Sequence, residues 1–361
     1  MIEILPVRGI GEVTPGDDLA AMIAGAAPWL RDGDVLVVTS KVVSKAEGRL
    51  VPAPAGASER ERARQEAVSA ESARTVASRG PTRIVATHHG FVMAAAGVDA
   101  SNVDSAQLVL LPKDPDASAR ALRAALAERH GRHVAVIISD TAGRPWRNGL
   151  TDMAVGAAGI EPLLDYRGRT DPYGNELALT QTAVVDELAA AAELVKGKTD
   201  GVPVAVVRGL PSLAGGPAAM RDDDGPGVVA TLVREPASDM FSLGAAEARA
   251  AGRRDAALLT DPAGFTSDPV DPALVQRALA AVAGHSATLT PLPEAEVRAA
   301  GAPAGAPAAV RAAPADRRPQ ALVDLGATVH GFRAALLAEG LASTVATGED
   351  GDVLVRIGWP A

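Results

Sequence analysis

Residues 133–149 read HVAVIISDTAGRPWRNG. The run His133 to Ile138 is apolar and rich in β-branched residues, which reads as a buried strand, and it stops at Ser139-Asp140-Thr141. Gly and charged residues dominate after it. A second run of the same kind, Asp34 to Thr39, ends on Ser40-Lys41. Two buried strands that each release polar groups at their ends set the expectation of a fold of α and β elements, with a site built where those strands stop.

Outward from these strands, Ile2 to Val7 alternates apolar and polar residues and ends at the turn Gly9-Ile10-Gly11, which predicts a further strand. Helical spacing runs over Asp17 to Trp29, Ala117 to Arg129 and Asp186 to Val195. Residues 58–79 are charged and Ala-rich, which predicts one exposed helix over the whole stretch. Shorter strand-like runs occupy Arg83 to Thr87, Gln107 to Leu111 and Val202 to Val207. Past Arg234 the texture changes as Ala and Pro rise, and residues 299–319 form a low-complexity stretch that reads as a linker or loop. A boundary near 240 is expected, with a last helix over Gln320 to Glu339 and a last strand over Val353 to Ile357.

A chain of 361 residues exceeds one typical core, so two domains are expected. Hydrophobic residues make up 47% of it and aromatics only 2%, so the core is built from Ala, Val, Leu and Ile. A net charge of -9 argues against a duplex nucleic-acid partner, which calls for a basic face. The absence of cysteine excludes disulfides, thiolate nucleophiles, iron-sulfur clusters and Cys-type zinc sites. The N-terminus, MIEILPVRGIGEV, lacks a basic flank followed by a long apolar run, and no later segment reads as long enough to span a bilayer. Cytoplasmic residence with no membrane partner is the expectation.

Three carboxylate-bearing clusters carry the candidate chemistry: Gly97-Val98-Asp99-Ala100-Ser101-Asn102, Ser139-Asp140-Thr141-Ala142-Gly143-Arg144, and Asp171-Pro172-Tyr173-Gly174-Asn175-Glu176. Hard oxygen ligands of this kind suit Mg²⁺ or Mn²⁺. Asp140 beside Thr141 is the foremost candidate, because a carboxylate next to a hydroxyl can hold a metal ion and a phosphate oxygen together. Asp99 and Asp140 equally suit turn or helix caps, and type and position alone leave both readings open. Arg144 and Arg147 offer guanidinium groups to phosphate or carboxylate, although surface ion pairs fit the same spacing, and Trp146 by itself reads as core. Ser40-Lys41-Val42-Val43-Ser44-Lys45 brings Ser40 and Lys45 within reach of one phosphate chain. Gly197-Lys198-Thr199 is not a Walker A loop, since the required first glycine falls at Ala192 and a helix precedes it. Gly9-Ile10-Gly11 fails the dinucleotide fingerprint at Thr14, while its turn amides can meet a nucleotide's polar atoms. His88, His89, His130 and His133 lack partners at metal spacing and read as surface or loop residues. No Gly-x-Ser-x-Gly elbow is present, which disfavours a serine hydrolase.

The order LPVRGIGEV, GDVLVVTSKVVSKAEGR, AAGVDASNVD, VIISDTAGRPWRNGLTDMAVGAAG, DPYGNEL and VKGKTDGVPVAVVRG resembles the coenzyme F420:L-glutamate ligase family, and closely its actinobacterial bifunctional form. The resemblance implies an α+β fold: a mixed-sheet ligase domain over residues 1–240 and a smaller, shortened nitroreductase-like domain over 241–361. It implies addition of L-glutamate to F420-0 or dehydro-F420-0 at the expense of GTP, through an acyl phosphate, with Mg²⁺ or Mn²⁺ and K⁺, in a homodimer. By the same resemblance Ile10, Gly11, Glu12 and Val13 form a nucleotide-contacting turn, joined by Ser40, Lys45 and Asn102, while Asp99, Asp140 and Thr141 fall on metal positions; Asp140 and Arg144 are the candidate catalytic residues. One departure stands out. Where some members carry a metal-linked Gln after Met-Gly, this chain has Lys198 after Lys196-Gly197, and an ammonium contacts phosphate but does not ligate a metal. In the tail, Leu325 to Val329, Leu336 to Ser343 and Ile357 to Trp359 resemble the later helix and final strand of nitroreductase-like domains. The Arg-rich flavin-phosphate motif with which such domains open is not found, so the tail reads as a shortened version that packs or dimerises, and an FMN-dependent reductase is the competing reading.

Overall fold

The computed structural model describes residues 1–99, 106–210, 221–266, 268–293, 296–297, 308–348 and 351–361, and the chain divides into two units, Met1–Gly244 and Ala245–Ala361. The first unit opens with β1 (Glu3–Val7), α1 (Leu19–Ala26), β2 (Val35–Thr39), α2 (Ser40–Ala46), β3 (Leu50–Pro52), α3 (Ala57–Ala70), β4 (Ser72–Arg79), β5 (Thr82–Thr87), β6 (Val92–Ala94) and β7 (Gln107–Val109). It continues with α4 (Pro115–His130), β8 (Ala135–Arg144), β9 (Arg147–Ala158), the two-residue strands β10 (Leu164–Asp165), β11 (Arg169–Thr170), β12 (Glu176–Leu177) and β13 (Gln181–Thr182), then α5 (Val184–Lys196), β14 (Val204–Arg208) and α6 (Val228–Leu232).

The central sheet has the order β1-β14-β2-β8-β9, with β2 and β8 parallel and the other neighbours antiparallel. Val35 to Val38, Ala135 to Ile138 and Val204 to Val206 are wholly buried, as expected of strands covered on both faces, which read as continuous apolar runs. Each such Val or Ile contributes about 1.5–3 kcal/mol on burial. Helix α4 starts where Asp114 caps the amide of Ala117 and Pro115 occupies the first turn, and it ends at Gly131 in the left-handed region. It lies against α1 and β9. Gly156 of β9 is where the helix seats: a Cβ there would fall 2.3 Å from the Pro115 carbonyl oxygen. Arg208 grips Asp34 with two hydrogen bonds, Nε to Oδ1 at 2.8 Å and Nη2 to Oδ2 at 2.7 Å, which ties β14 to the start of β2. A separate small core, including Val68, Val85, Val98 and Leu108, joins α3 to the three-stranded sheet β4-β5-β6 and the pair β3-β7.

The second unit contains α7 (Ala245–Ala257), α8 (Pro272–Ala281), β15 (Thr288–Pro291), β16 (Ala308–Ala313), α9 (Pro319–Ala338), β17 (Ala342–Thr347) and β18 (Val353–Gly358). Its strands form an antiparallel sheet of order β15-β16-β18-β17. Val310, Val355 and Ile357 from the sheet meet Val275 of α8 and Leu325, Phe332 and Leu336 of α9 in its core.

Several expectations are corrected. The helix expected over 58–79 stops at Ala70, and Ser72–Arg79 is strand β4, because pairing with β5 outweighs the helical preference of an Ala-rich sequence. β8 does not stop at Ile138; it runs on through Asp140 to Arg144 and turns into β9, since Asp152 across the ladder accepts from Ser139 and Thr141, and Ser40 of α2 donates to Asp140. Within the supposed linker 299–319, Ala308–Ala313 is a paired inner strand whose Val310 and Ala312 alternate into the core, and residues 299–307 lie outside the described residues. Helix α9 is, by length and composition, apolar enough to cross a membrane, contrary to the sequence reading; Leu325, Val329, Phe332 and Leu336 line the core of its own unit.

Candidate active site

Successive residues of β8 face opposite sides of the sheet, so Asp140 and Thr141 diverge. Helix α2 begins directly at the end of β2 and covers the Asp140 side. Ser40 Oγ donates to Asp140 Oδ1 at 3.2 Å, and Lys41 Nζ lies 2.7 Å from Asp99 Oδ2. Burial pushes the Asp140 carboxyl up to about 6; the charges of Asp152 and Asp99 push the same way, against hydrogen bonds from the Thr141 amide and Ser40. Asp140 is therefore a desolvated carboxyl among like charges, a setting that a cation relieves.

The Thr141 side depends on a bulge. Ile138 pairs with Gly156 but Ser139 pairs with Ala154, leaving Val155 as an extra residue in β9. In a regular strand Asp152 would share the face of Gly156, toward α4; the extra residue turns it to the other face, toward α5. There it stands opposite Thr141, whose Oγ1 donates to Asp152 Oδ1 at 2.7 Å. Ser139 Oγ donates to Asp152 Oδ2 at 3.0 Å, and Lys196 Nζ, at the end of α5, donates to both Ser139 Oγ and Asp152 Oδ2 at 2.9 Å. Lys196 is only 1% exposed, with Glu193 Oε2 at 3.4 Å as a further partner. Burial works to raise the Asp152 carboxyl, but the Lys196 ammonium prevails and holds it below the usual carboxylate value. Lys198 Nζ donates to Thr141 Oγ1 at 2.6 Å and meets Glu193 Oε1 at 2.6 Å.

The turn after β1 adjoins α2 through Lys45 Nζ, 2.6 Å from Glu12 Oε1. Ile10 and Val13 are buried core residues, while Gly11 and Glu12 are exposed, so only backbone and Glu12 of that turn face outward. Asn102 lies outside the described residues. Arg144 is not brought to the cluster: it sits on the exposed β8–β9 turn, Nη2 3.5 Å from the Asn148 carbonyl oxygen, and lies four positions along the strand from Asp140, about 13 Å. Trp146, read as core, is 82% exposed on the same turn at φ 57°, with its ring edge-on to Phe241. Asp171 is a turn residue, accepting from the amides of Tyr173 and Asn175. His88 and His89 bond the carbonyls of Ala70 and Lys113. Among the described residues no three His, Cys, Asp or Glu side chains converge as a metal-holding group. The donor chemistry near Asp140 nonetheless fits a hard divalent ion, with Asp99 and Asp140 on one side of the strand and a Thr141 lone pair on the other.

Asp152, Lys196, Glu193 and Lys41 were missed by the sequence reading. Counting back from the turn pair Arg144 and Arg147 in regular register sets residue 150 opposite Thr141; the register shift at Gly143 moves that place to Asp152. The one available signal was a lysine at the end of an amphipathic helix, which by itself reads as a dipole partner.

The F420-0:gamma-glutamyl ligase family model matches residues 9–209, all within the first unit. The chain is 43% identical over 226 residues to the coenzyme F420:L-glutamate ligase of Methanothermobacter thermautotrophicus, spanning 58% of this chain and 90% of that protein. It is 41% identical over 252 residues to the protein of the same name from Methanopyrus kandleri, spanning 66% of this chain and 97% of that one. Among solved structures, the hypothetical oxidoreductase YcnD from Bacillus subtilis aligns with 30% of this chain and 66% of its own at 15% identity and a TM-score of 0.25, too slight a likeness to argue from.

Proposed function

We propose, from the premise that this chain belongs to the F420-0:gamma-glutamyl ligase family, that its first unit joins L-glutamate to the carboxylate of F420-0 at the expense of GTP. The enzyme is a ligase that forms carbon–nitrogen bonds, and the bond is the amide of coenzyme F420 glutamylation. The observation that carries the finer reading is the stretch of β8 just past its last pair with β2, where the desolvated Asp140 looks to α2 and Thr141 looks to the lysines at the end of α5. A phosphate chain laid across that edge, where β2 has ended, meets oxygen ligands on one side and ammonium groups on the other.

In this reading the acceptor carboxylate attacks the γ-phosphorus, the bond to the β-phosphate oxygen breaks, and an acyl phosphate forms. The glutamate amine then attacks the carbonyl carbon, phosphate leaves with the bonding pair, and the amine gives up a proton. A carboxylate becomes an electrophile only once one oxygen is a good leaving group, so the phosphoryl step has to precede amide formation. Lys198, exposed beside Thr141, and Lys45, beside the Gly11 turn, neutralise phosphate oxygens, and the Gly11 amide orients the nucleotide. Mg²⁺ or Mn²⁺ would be held by Asp99 and Asp140 on one face of the strand, with a Thr141 lone pair offered on the other, and would supply further neutralising charge there. Arg144 enters only if the β8–β9 turn approaches bound substrate.

Incubation of the purified protein with GTP, Mn²⁺, glutamate and F420-0, read by mass spectrometry, tests this. Glutamylated product and GDP are expected in step, and Asp140→Ala is expected to lower turnover at least about a hundredfold while far-ultraviolet circular dichroism is unchanged. Wild-type turnover by that variant removes Asp140 from the mechanism.

A further inference from the structure

Thr141 is surrounded by more machinery than a strand hydroxyl needs. Its hydrogen goes to Asp152 Oδ1, and one of its lone pairs accepts from Lys198. The other oxygen of Asp152 takes two donors, Ser139 and Lys196, so the carboxylate is held at both ends. Asp152 is 3% exposed and Lys196 1%, and Asp152 stands opposite Thr141 between two register shifts, the extra Val155 on one side and the shift at Gly143 on the other. A buried ion pair is a poor route to stability, since apolar residues of similar volume often do as well or better. What this one does achieve is a fixed direction for one hydroxyl hydrogen.

We propose that Asp152, clamped by Lys196, is a positioning residue that takes the Thr141 hydroxyl hydrogen and so turns a Thr141 lone pair toward the phosphate and cation side of the site. The inference rests on the assignment of Thr141 to the nucleotide site. Its chemical content is that Thr141 serves as an acceptor and never as a donor to phosphate oxygen.

Asp152→Asn keeps the shape and reverses this polarity. Lys196 and Ser139 donate to the Oδ2 position at 2.9 and 3.0 Å, while the Lys198 ammonium is farther from Oδ1, at 3.6 Å, so the nearer donors favour the amide oxygen at Oδ2 and point the NH₂ at Thr141. Thr141 then has to accept from the amide, and its own hydrogen swings outward into the site. Adding Lys196→Met removes the donor that pins the amide. The Ser139 hydroxyl can rotate to accept, the amide can flip, and its oxygen can again face Thr141.

The test compares wild type, Asp152→Asn and the double variant Lys196→Met/Asp152→Asn by thermal melting, kcat and KM for GTP, and calorimetric titration with Mn²⁺. For Asp152→Asn, kcat is expected to fall about a hundredfold with KM for GTP changed less than about threefold, and Mn²⁺ affinity is expected to fall as well. The double variant is expected to regain about tenfold in kcat and part of the Mn²⁺ affinity, a rescue by a second buried substitution that a merely structural role does not produce. Wild-type kcat in folded Asp152→Asn, or a folded double variant no better than the single one, overturns the proposal while the ligase reading stands. If the wild type makes no glutamylated product but Mn²⁺ affinity still falls and recovers across the series, the ligase reading fails and the role of Asp152 stands. Melting curves that account for the whole loss in both variants also overturn it.

Discussion

Asp140, Asp152 and Asp186 are all withdrawn from water in the first unit, and they diverge because of what faces them. Asp152 meets an ammonium and is held low, Asp140 meets a hydroxyl and like charges and is pushed up to about 6, and Asp186 has the Ala154 amide at 2.9 Å, too little to offset burial, so its carboxyl is also raised. For Asp186 the sign is definite: a carboxyl whose folded value lies above its unfolded value, about 4, penalises the folded state once it ionises, so stability is fullest below that pH and falls as pH rises through the folded value. Asp186→Asn keeps an acceptor for Ala154 and removes the charge. Its urea midpoint is expected to exceed that of wild type at pH 7 and to converge with it below about pH 4; a lower midpoint at pH 7 contradicts the assignment. Asp140 was legible in the sequence as a carboxylate following a buried apolar run, whereas Asp152, the partner of Thr141 across the sheet, was not, because pairing between strands is set by register and not by neighbours in the chain.

At the scale of elements, β9 decides the site. One extra residue gives this strand two working faces, Gly156 receiving α4 and Asp152 receiving α5. Gly156→Ala places a Cβ within 2.3 Å of the Pro115 carbonyl oxygen, and backbone on both sides has to give. The expected cost is about 1–3 kcal/mol, read as a lower urea midpoint; an unchanged midpoint means that α4 does not seat there. The sequence foretold β1, β2, β14 and α4 closely, because apolar runs and caps are local signals. It did not foretell β4 or β9. Their residues are polar or Ala-rich, and only pairing with β5 and β8 makes strands of them.

Among the described residues the two largest hydrophobic cores lie in separate units, one around the β2-β8-β14 strands and one around α9, with the small Val85 core inside the first unit. Separate cores of this kind predict two unfolding transitions in calorimetry. Phe332, wholly buried in the second core, tests the division: Phe332→Ala is expected to cost about 3–5 kcal/mol and to move one transition only. A shift of both by the same amount shows that the chain unfolds as one cooperative body.

By itself the sequence determined the apolar strands at the centre of the first unit, the ordered motifs of the ligase family and the polar residues at the strand ends, because each is written in neighbouring residues. Only the tertiary structure decided which of those residues meet. Asp152 reaches Thr141, and Lys196 reaches Asp152, through two register shifts between β8 and β9 and a helix packed from far along the chain. Burial then sets the charge of each group, and burial is a property of the assembled fold.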